Sequence, residues 1–144
     1  MNPVRLQRIS YFLRNIRPIA KSLTYLIRLV FGCYLPYGLK LGKDFTVGYG
    51  GIGIVIHERT IIGDGVHIDQ NVTIGGTSKK HGVPVLGNNV YVGAGAVILG
   101  PVKIGNEVVI GANAVVVKDV KEGSVVGGVP ARCIKTNIKR SDYL

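Results

Sequence analysis

The 144-residue chain contains no tryptophan and only three phenylalanines. A core of stacked aromatics is therefore excluded, and what remains is a narrow core that small aliphatic side chains can fill. Cysteine is almost absent. Cys33 and Cys133 lie a hundred residues apart and outside any motif, so they read as reduced, structural thiols of a cytoplasmic protein rather than a disulfide framework. Acidic residues are scarce too: eight against eighteen Lys and Arg, a net charge of +10, with no acid in residues 1–43, where eight of the basic residues fall. Such a balance suits nucleic acid, an anionic membrane face or a phosphate-bearing small molecule. Nucleic acid is set aside, because the chain has no helix-turn-helix pattern, no aromatic RNP-type strand and no zinc spacing. A long uncharged apolar run is also missing. Lys21 and Arg28 interrupt the best stretch, which argues against a membrane span. Arg5, Arg8, Arg14 and Arg17, with no small-residue cleavage site after them, argue against a signal peptide.

What the chain does have is a six-residue beat. Ile56, Ile62, Ile68, Ile74, Leu86, Val92, Ile98, Ile104, Ile110 and Val116 all fall in phase, and only Lys80 breaks the series. Glycine usually follows, as at Gly63, Gly75, Gly87, Gly93, Gly105 and Gly111. A hexad with an aliphatic residue in phase predicts one short strand and one corner, with coils stacked into a parallel β-helix. The expected fold is an all-β solenoid with an N-terminal helical segment.

Three segments follow. Residues 1–40 are basic and carry helical spacing through Val4, Leu6, Ile9, Leu13 and Ile16, then Leu23, Leu26, Ile27 and Val30, with a break at Pro18. They form either a cap on the open end of the solenoid or, through residues 3–34, a peripheral membrane contact; the cap is favoured. Residues 41–127 are the solenoid, with an irregular corner at Tyr49–Gly53. A polar excursion, Thr77–Pro84 (TSKKHGVP), should project as a loop. Residues 128–144 are a basic tail.

The segments Gly53–Thr77, Val90–Val116 and Gly127–Lys135 (GGVPARCIK) resemble the left-handed β-helix acyltransferases of the hexapeptide-repeat family, in their serine acetyltransferase-like branch. The resemblance covers roughly residues 41–136. It implies left-handed coils, a homotrimer, and acetyl-CoA lying in a groove between solenoids and giving its acetyl group to an acceptor hydroxyl. On the donor side it implies Gly93, Ala94, Gly111 and Ala112 as small residues along the pantetheine arm, with Lys118, Arg132 and Lys135 as cations for the phosphates.

The chemistry needs a base for the acceptor hydroxyl, and a neutral histidine suits that near neutral pH. There are three: His57, His67 and His81. His57, Gly75, Gly93 and Gly111 are spaced by eighteen residues, so an eighteen-residue coil would stack them in one column, with His57 replacing a corner glycine. His57 is the candidate base, assisted by His81 from the excursion loop. His67 reads as a solvated outward residue. Where the resemblance places an Asp-His pair, this chain has Tyr49-Gly50, and it lacks the larger N-terminal domain of the serine enzymes. The pattern is thus nearer to sugar O-acetyltransferases of surface-polysaccharide clusters. The expected activity is acetyl transfer to a sugar or glycan hydroxyl, with no metal. The alternatives are serine O-acetylation and, in another class, a non-catalytic trimeric scaffold or a metal-binding assembly using the three histidines.

Overall fold

A computed structural model describes residues 2–143. Its centre is a three-faced prism of short parallel strands, numbered in chain order. The first face stacks β1 (Lys40–Leu41), β4 (Ile61–Ile62), β7 (Val85–Leu86) and β10 (Lys103–Ile104). The second stacks β2 (Thr46–Val47), β5 (His67–Ile68), β8 (Tyr91–Val92), β11 (Val109–Ile110) and β13 (Val125–Gly127). The third stacks β3 (Val55–Ile56), β6 (Thr73–Gly75), β9 (Val97–Leu99) and β12 (Val115–Val116). Tyr34 bridges Val55, so the first coil starts ahead of β1.

Side chains alternate across a strand, so each hexad buries two residues rather than one. Val66 and Ile68, Val72 and Ile74, Val90 and Val92, Ala96 and Ile98, and Val108 and Ile110 are all at most 1% exposed. The position two before the beat residue is Val or Ala in most hexads, the others being Ile54, Thr60 and Pro84, and this mostly small partner keeps the prism narrow enough to do without aromatics. The corners between the second and third faces each need one left-handed residue. Gly53, Asn71, Gly95 and Asn113 supply it with φ of 71°, 59°, 71° and 57°. Asn accepts that conformation better than other side-chain-bearing residues, and its amide oxygen fills the space beneath the glycine one coil earlier.

Two insertions change the phase. The irregular corner is a distorted 3₁₀ turn, Gly48–Gly51, in which Tyr49 adopts φ 48°. The excursion lies between β6 and β7. It lengthens the step from Thr73 to Val97 to 24 residues, where Val55 to Thr73 is 18.

The N-terminal segment forms α1 (Pro3–Phe12) and α2 (Arg17–Phe31), with Pro18 in the first turn of the second. The Asn2 side chain caps α1 by accepting from the Val4 N–H at 2.8 Å, and Gly32 ends α2 in the left-handed conformation. The helices cover the open end: Val4 and Ile27 join the core, and the buried Gln7 amide donates to the Pro36 and Leu39 carbonyls. The buried face is not the one the apolar spacing suggested. Gln7, Ser10, Ala20 and Thr24 are inside, while Ile9, Phe12, Leu26, Leu29 and Val30 are exposed. No helix among the described residues is long and apolar enough to cross a membrane.

The tail does more than end the solenoid. β14 (Arg132–Lys135) pairs antiparallel with β13. Beyond it Ile138 packs on Val109 and Val125, and the Arg140 N–H donates to Glu107 Oε2 at 2.8 Å. Cys33 is buried, but Cys133 is exposed, so only the first is a structural thiol.

Candidate functional site

The expected column of His57, Gly75, Gly93 and Gly111 does not form. The six extra residues of the excursion move every later hexad on by one face. His57 instead continues the third face through Gly75, Leu99 and Val117. Gly93 and Gly111 belong to the second face, in a column with Gly48, Asp69 and Gly127. The residue that interrupts a glycine column is therefore Asp69.

The corners after this column make one continuous edge. From the N-terminal end it carries Tyr49-Gly50, Gln70-Asn71, Ala94-Gly95, Ala112-Asn113 and Gly128. The four small donor-side candidates thus come together, on one edge. Arg132 lies just past the C-terminal end of that edge. It shares a cleft of about 680 Å³ with Lys118, Lys121 and Cys133. Lys135 is exposed on β14 and does not line that cleft.

His57 and His81 belong to a different edge, between the third and first faces. His57 Nδ1 accepts the Arg59 N–H at 3.1 Å; in the neutral ring that commits the lone pair and leaves Nε2 as a donor. Gly82 lies against Pro101 and Thr77 against Gly100, so the loop bearing His81 leans one coil beyond Gly75, whereas His57 sits one coil before it.

His67 is not a solvated side chain. Thr46, His67 and Tyr91 are successive rungs of one outward column on the second face, and the His67 and Tyr91 rings stack at 5.7 Å. His67 Nε2 lies 3.1 Å from Asp69 Oδ1, and Nδ1 lies 2.8 Å from Thr46 Oγ1. Tyr91 donates its hydroxyl to Asp69 Oδ2 at 2.6 Å. A carboxylate only accepts, so in the neutral ring the His67 proton is on Nε2 and the Nδ1 lone pair takes the Thr46 O–H. The hydrogen bond to Asp69, then burial and the carboxylate charge, pushes the Tyr91 hydroxyl up to about 12, which keeps it a donor. His67 and Asp69 are largely covered, with side-chain exposures of 25% and 16%.

Thr46, Asp69 and Tyr91 were missed because their alignment depends on both insertions: the neighbouring columns of Thr46–His67–Tyr91 and Gly48–Asp69–Gly93 each step by 21 and then 24 residues rather than by eighteen. The signal available was the aspartate itself, two residues after His67 and in phase with Gly93 and Gly111. Among the described residues no three of His, Cys, Asp and Glu gather into a metal-binding group.

The prism, with its stacked small-residue edge and its helical cap, is a parallel β-helix, and it matches the left-handed β-helices of solved acetyltransferases. The family described as Bacterial transferase hexapeptide (six repeats) matches residues 84–118. Serine acetyltransferase from Synechococcus elongatus is 41% identical over 141 residues, covering 95% of this chain and 57% of that protein. Serine acetyltransferase from Brucella abortus, solved in complex with coenzyme A, superposes with a TM-score of 0.90 at 31% identity, over 94% of this chain and 56% of that one. The soybean enzyme complexed with serine gives 0.86 at 35% identity, over 92% and 56%. The chain is thus similar to the hexapeptide-repeat acyltransferases, in their serine acetyltransferase-like branch. It spans little more than half the length of these relatives.

Proposed function

We propose that the chain is an acetyl-CoA-dependent O-acetyltransferase with L-serine, or a closely similar hydroxy amino acid, as acceptor. The observation that carries this reading is the edge of stacked Gly93-Ala94 and Gly111-Ala112 corners leading to Arg132. It offers a long donor exposed backbone with a cation at one end. The relatives are named for serine acetylation, and this favours serine over the sugar or glycan hydroxyl expected from the sequence. The sugar reading keeps second place because Tyr49-Gly50 stands where an Asp-His pair was expected.

In the reaction a base takes the acceptor hydroxyl proton, the oxygen attacks the thioester carbon, and a backbone N–H at a corner stabilises the charge on the carbonyl oxygen. His57 with His81 is the base the sequence puts forward. Acetyl-CoA serves as co-substrate and no metal is required. The working unit in this reading is a cytoplasmic homotrimer that pairs the edges of neighbouring prisms. Peripheral membrane contact through residues 3–34 is tested by sedimentation with anionic vesicles, since Phe12 and Leu29 stay exposed on the cap.

The deciding experiment follows free thiol from acetyl-CoA with L-serine and with simple and nucleotide-activated sugars. Release that depends on L-serine supports the reading. Release with sugars alone moves the activity to the second reading. Silence with every acceptor and no CoA binding in calorimetry leaves a non-catalytic scaffold.

A further inference from the structure

A second cleft, of about 570 Å³, lies between α1 and the first coil. Its walls carry Arg5, Arg8 and Lys43 as cations and Asp44 as the single acid, and Thr46 is part of the lining. The Arg8 guanidinium is held by the Gly42 carbonyl at 2.6 Å. The hydroxyl of the lining residue Thr46 lies 2.8 Å from the Nδ1 of His67, which stands just behind it.

Three observations converge on this place. The ring of His67 is fixed from behind: Asp69 holds Nε2–H, Tyr91 holds Asp69 and stacks on the ring. Its Nδ1 already takes an O–H donor, at 2.8 Å. Asp69 also stands in the column of Gly93 and Gly111 and packs on Gly48, beside Tyr49-Gly50. The pair is therefore at the N-terminal end of the edge whose C-terminal end leads to Arg132. Three coil steps lead from Asp69 to Gly127 and one more strand, β14, brings Arg132, ~19 Å in all at the usual strand spacing, a span suited to an extended pantetheine arm.

We propose that this cleft is the acceptor site and that His67, oriented by Asp69, is the proton acceptor that serves it. The proposal rests on the acetyl-transfer reading and names the site that reading lacks. The ligand class is a small hydroxyl compound with an anionic group. Arg5 and Lys43 hold the anion, Asp44 suits an ammonium on the same molecule, and the hydroxyl replaces that of Thr46 at His67. The acceptor O–H proton passes to Nδ1 as the oxygen bonds to the thioester carbon. The carbon–sulfur bond then breaks, and the proton moves from Nδ1 to the departing sulfur to give the CoA thiol. Nε2–H stays with Asp69 throughout. The basic N-terminal helix thereby gains a role in substrate binding, and the absence of an Asp-His pair at 49–50 no longer leaves the site without a base.

The test uses the full chain and steady-state thiol release, first with L-serine and then with the other acceptors. His67→Asn should lower kcat by about 10²–10⁴ with CoA affinity in calorimetry unchanged. Asp69→Asn should lower kcat and shift the imidazole ¹⁵N signals away from the Nε2–H tautomer. Arg5→Gln combined with Lys43→Gln should raise the acceptor KM with kcat largely kept, the mark of lost ground-state binding. A His67→Asn protein that turns over like the parent, or a larger loss in His57→Ala than in His67→Asn, overturns the base assignment while leaving acetyl transfer intact. An acceptor KM indifferent to Arg5 and Lys43 overturns the cleft. A parent protein that binds CoA but transfers to no acceptor overturns the functional reading itself, and this proposal with it.

Discussion

Gly48 lies flat against Asp69: a Cβ built on Gly48 would collide with Asp69 Oδ1, the same oxygen that faces His67 Nε2. The glycine is required by that carboxylate and not by its own backbone, since its φ is not among the positive ones. Gly48→Ala should therefore push Asp69 off His67 while the solenoid still forms. We expect a stability loss of about 1–3 kcal/mol, the usual cost of overpacking, measured by denaturant unfolding. Turnover should drop out of proportion to that loss. An unchanged kcat would show that the position of the Asp69 carboxylate does not matter to the chemistry.

Two glycines that look alike in the repeat should behave differently on substitution. Gly95 has φ 71° and sits over the Asn113 amide oxygen, whereas Gly75 has no positive φ and would meet only Leu99 Cδ2 at 3.9 Å. Gly95→Ala should cost at least about 1–2 kcal/mol from the left-handed backbone alone. Gly75→Ala should be near neutral. Thermal melts of the two proteins check this; equal midpoints would refute the corner argument.

This contrast also marks how far the sequence could be read. Period and phase were visible because one buried aliphatic residue recurs per hexad, and the same regularity made the fold legible. The three-dimensional neighbours of a residue depend instead on coil length, which the insertions at Tyr49–Gly53 and Thr77–Pro84 alter. Assuming eighteen residues throughout aligned His57 with Gly93 and Gly111, whereas the longer coils align Asp69 with them. The grouping of Gly93-Ala94 with Gly111-Ala112 on one edge survived the error because they lie on the same side of both insertions. The Thr46–His67–Asp69–Tyr91 array did not, because its members straddle them. The buried face of the helices was hidden for another reason: Gln7 goes inside to satisfy the Pro36 and Leu39 carbonyls, a demand that no hydrophobic pattern records.

Arg132 and Lys118 line one cleft at the C-terminal end of the prism, and both are exposed. If they hold the CoA phosphates, Arg132→Ala should raise the KM for acetyl-CoA about tenfold with little change in kcat, because the contact is made equally in ground and transition states. The same variant should leave the acceptor KM unaltered. Rising salt should weaken CoA binding in the parent more than in the variant, since exposed charges are screened. An unchanged KM for acetyl-CoA would remove Arg132 from the donor site.

The two thiols differ in a way that labelling and pH can read. Burial pushes the Cys33 thiol up from 9.0 to about 11, while Cys133 is exposed. Under native conditions a thiol reagent should modify Cys133 rapidly and Cys33 only after denaturant is added. The raised value also sets a direction for stability. Between pH 9.0 and about 11 the folded chain keeps the Cys33 proton that the unfolded chain releases. The unfolded state then binds fewer protons, and stability falls as pH rises. Tyr91, held protonated by Asp69 up to about 12, extends the loss to higher pH with the same sign. Melting temperature should therefore decline across this alkaline window, and less steeply in Cys33→Ala, whose melt at neutral pH serves as its own reference for the lost packing. A Cys33→Ala protein that declines just as steeply as the parent would show that the buried thiol does not set the alkaline limit.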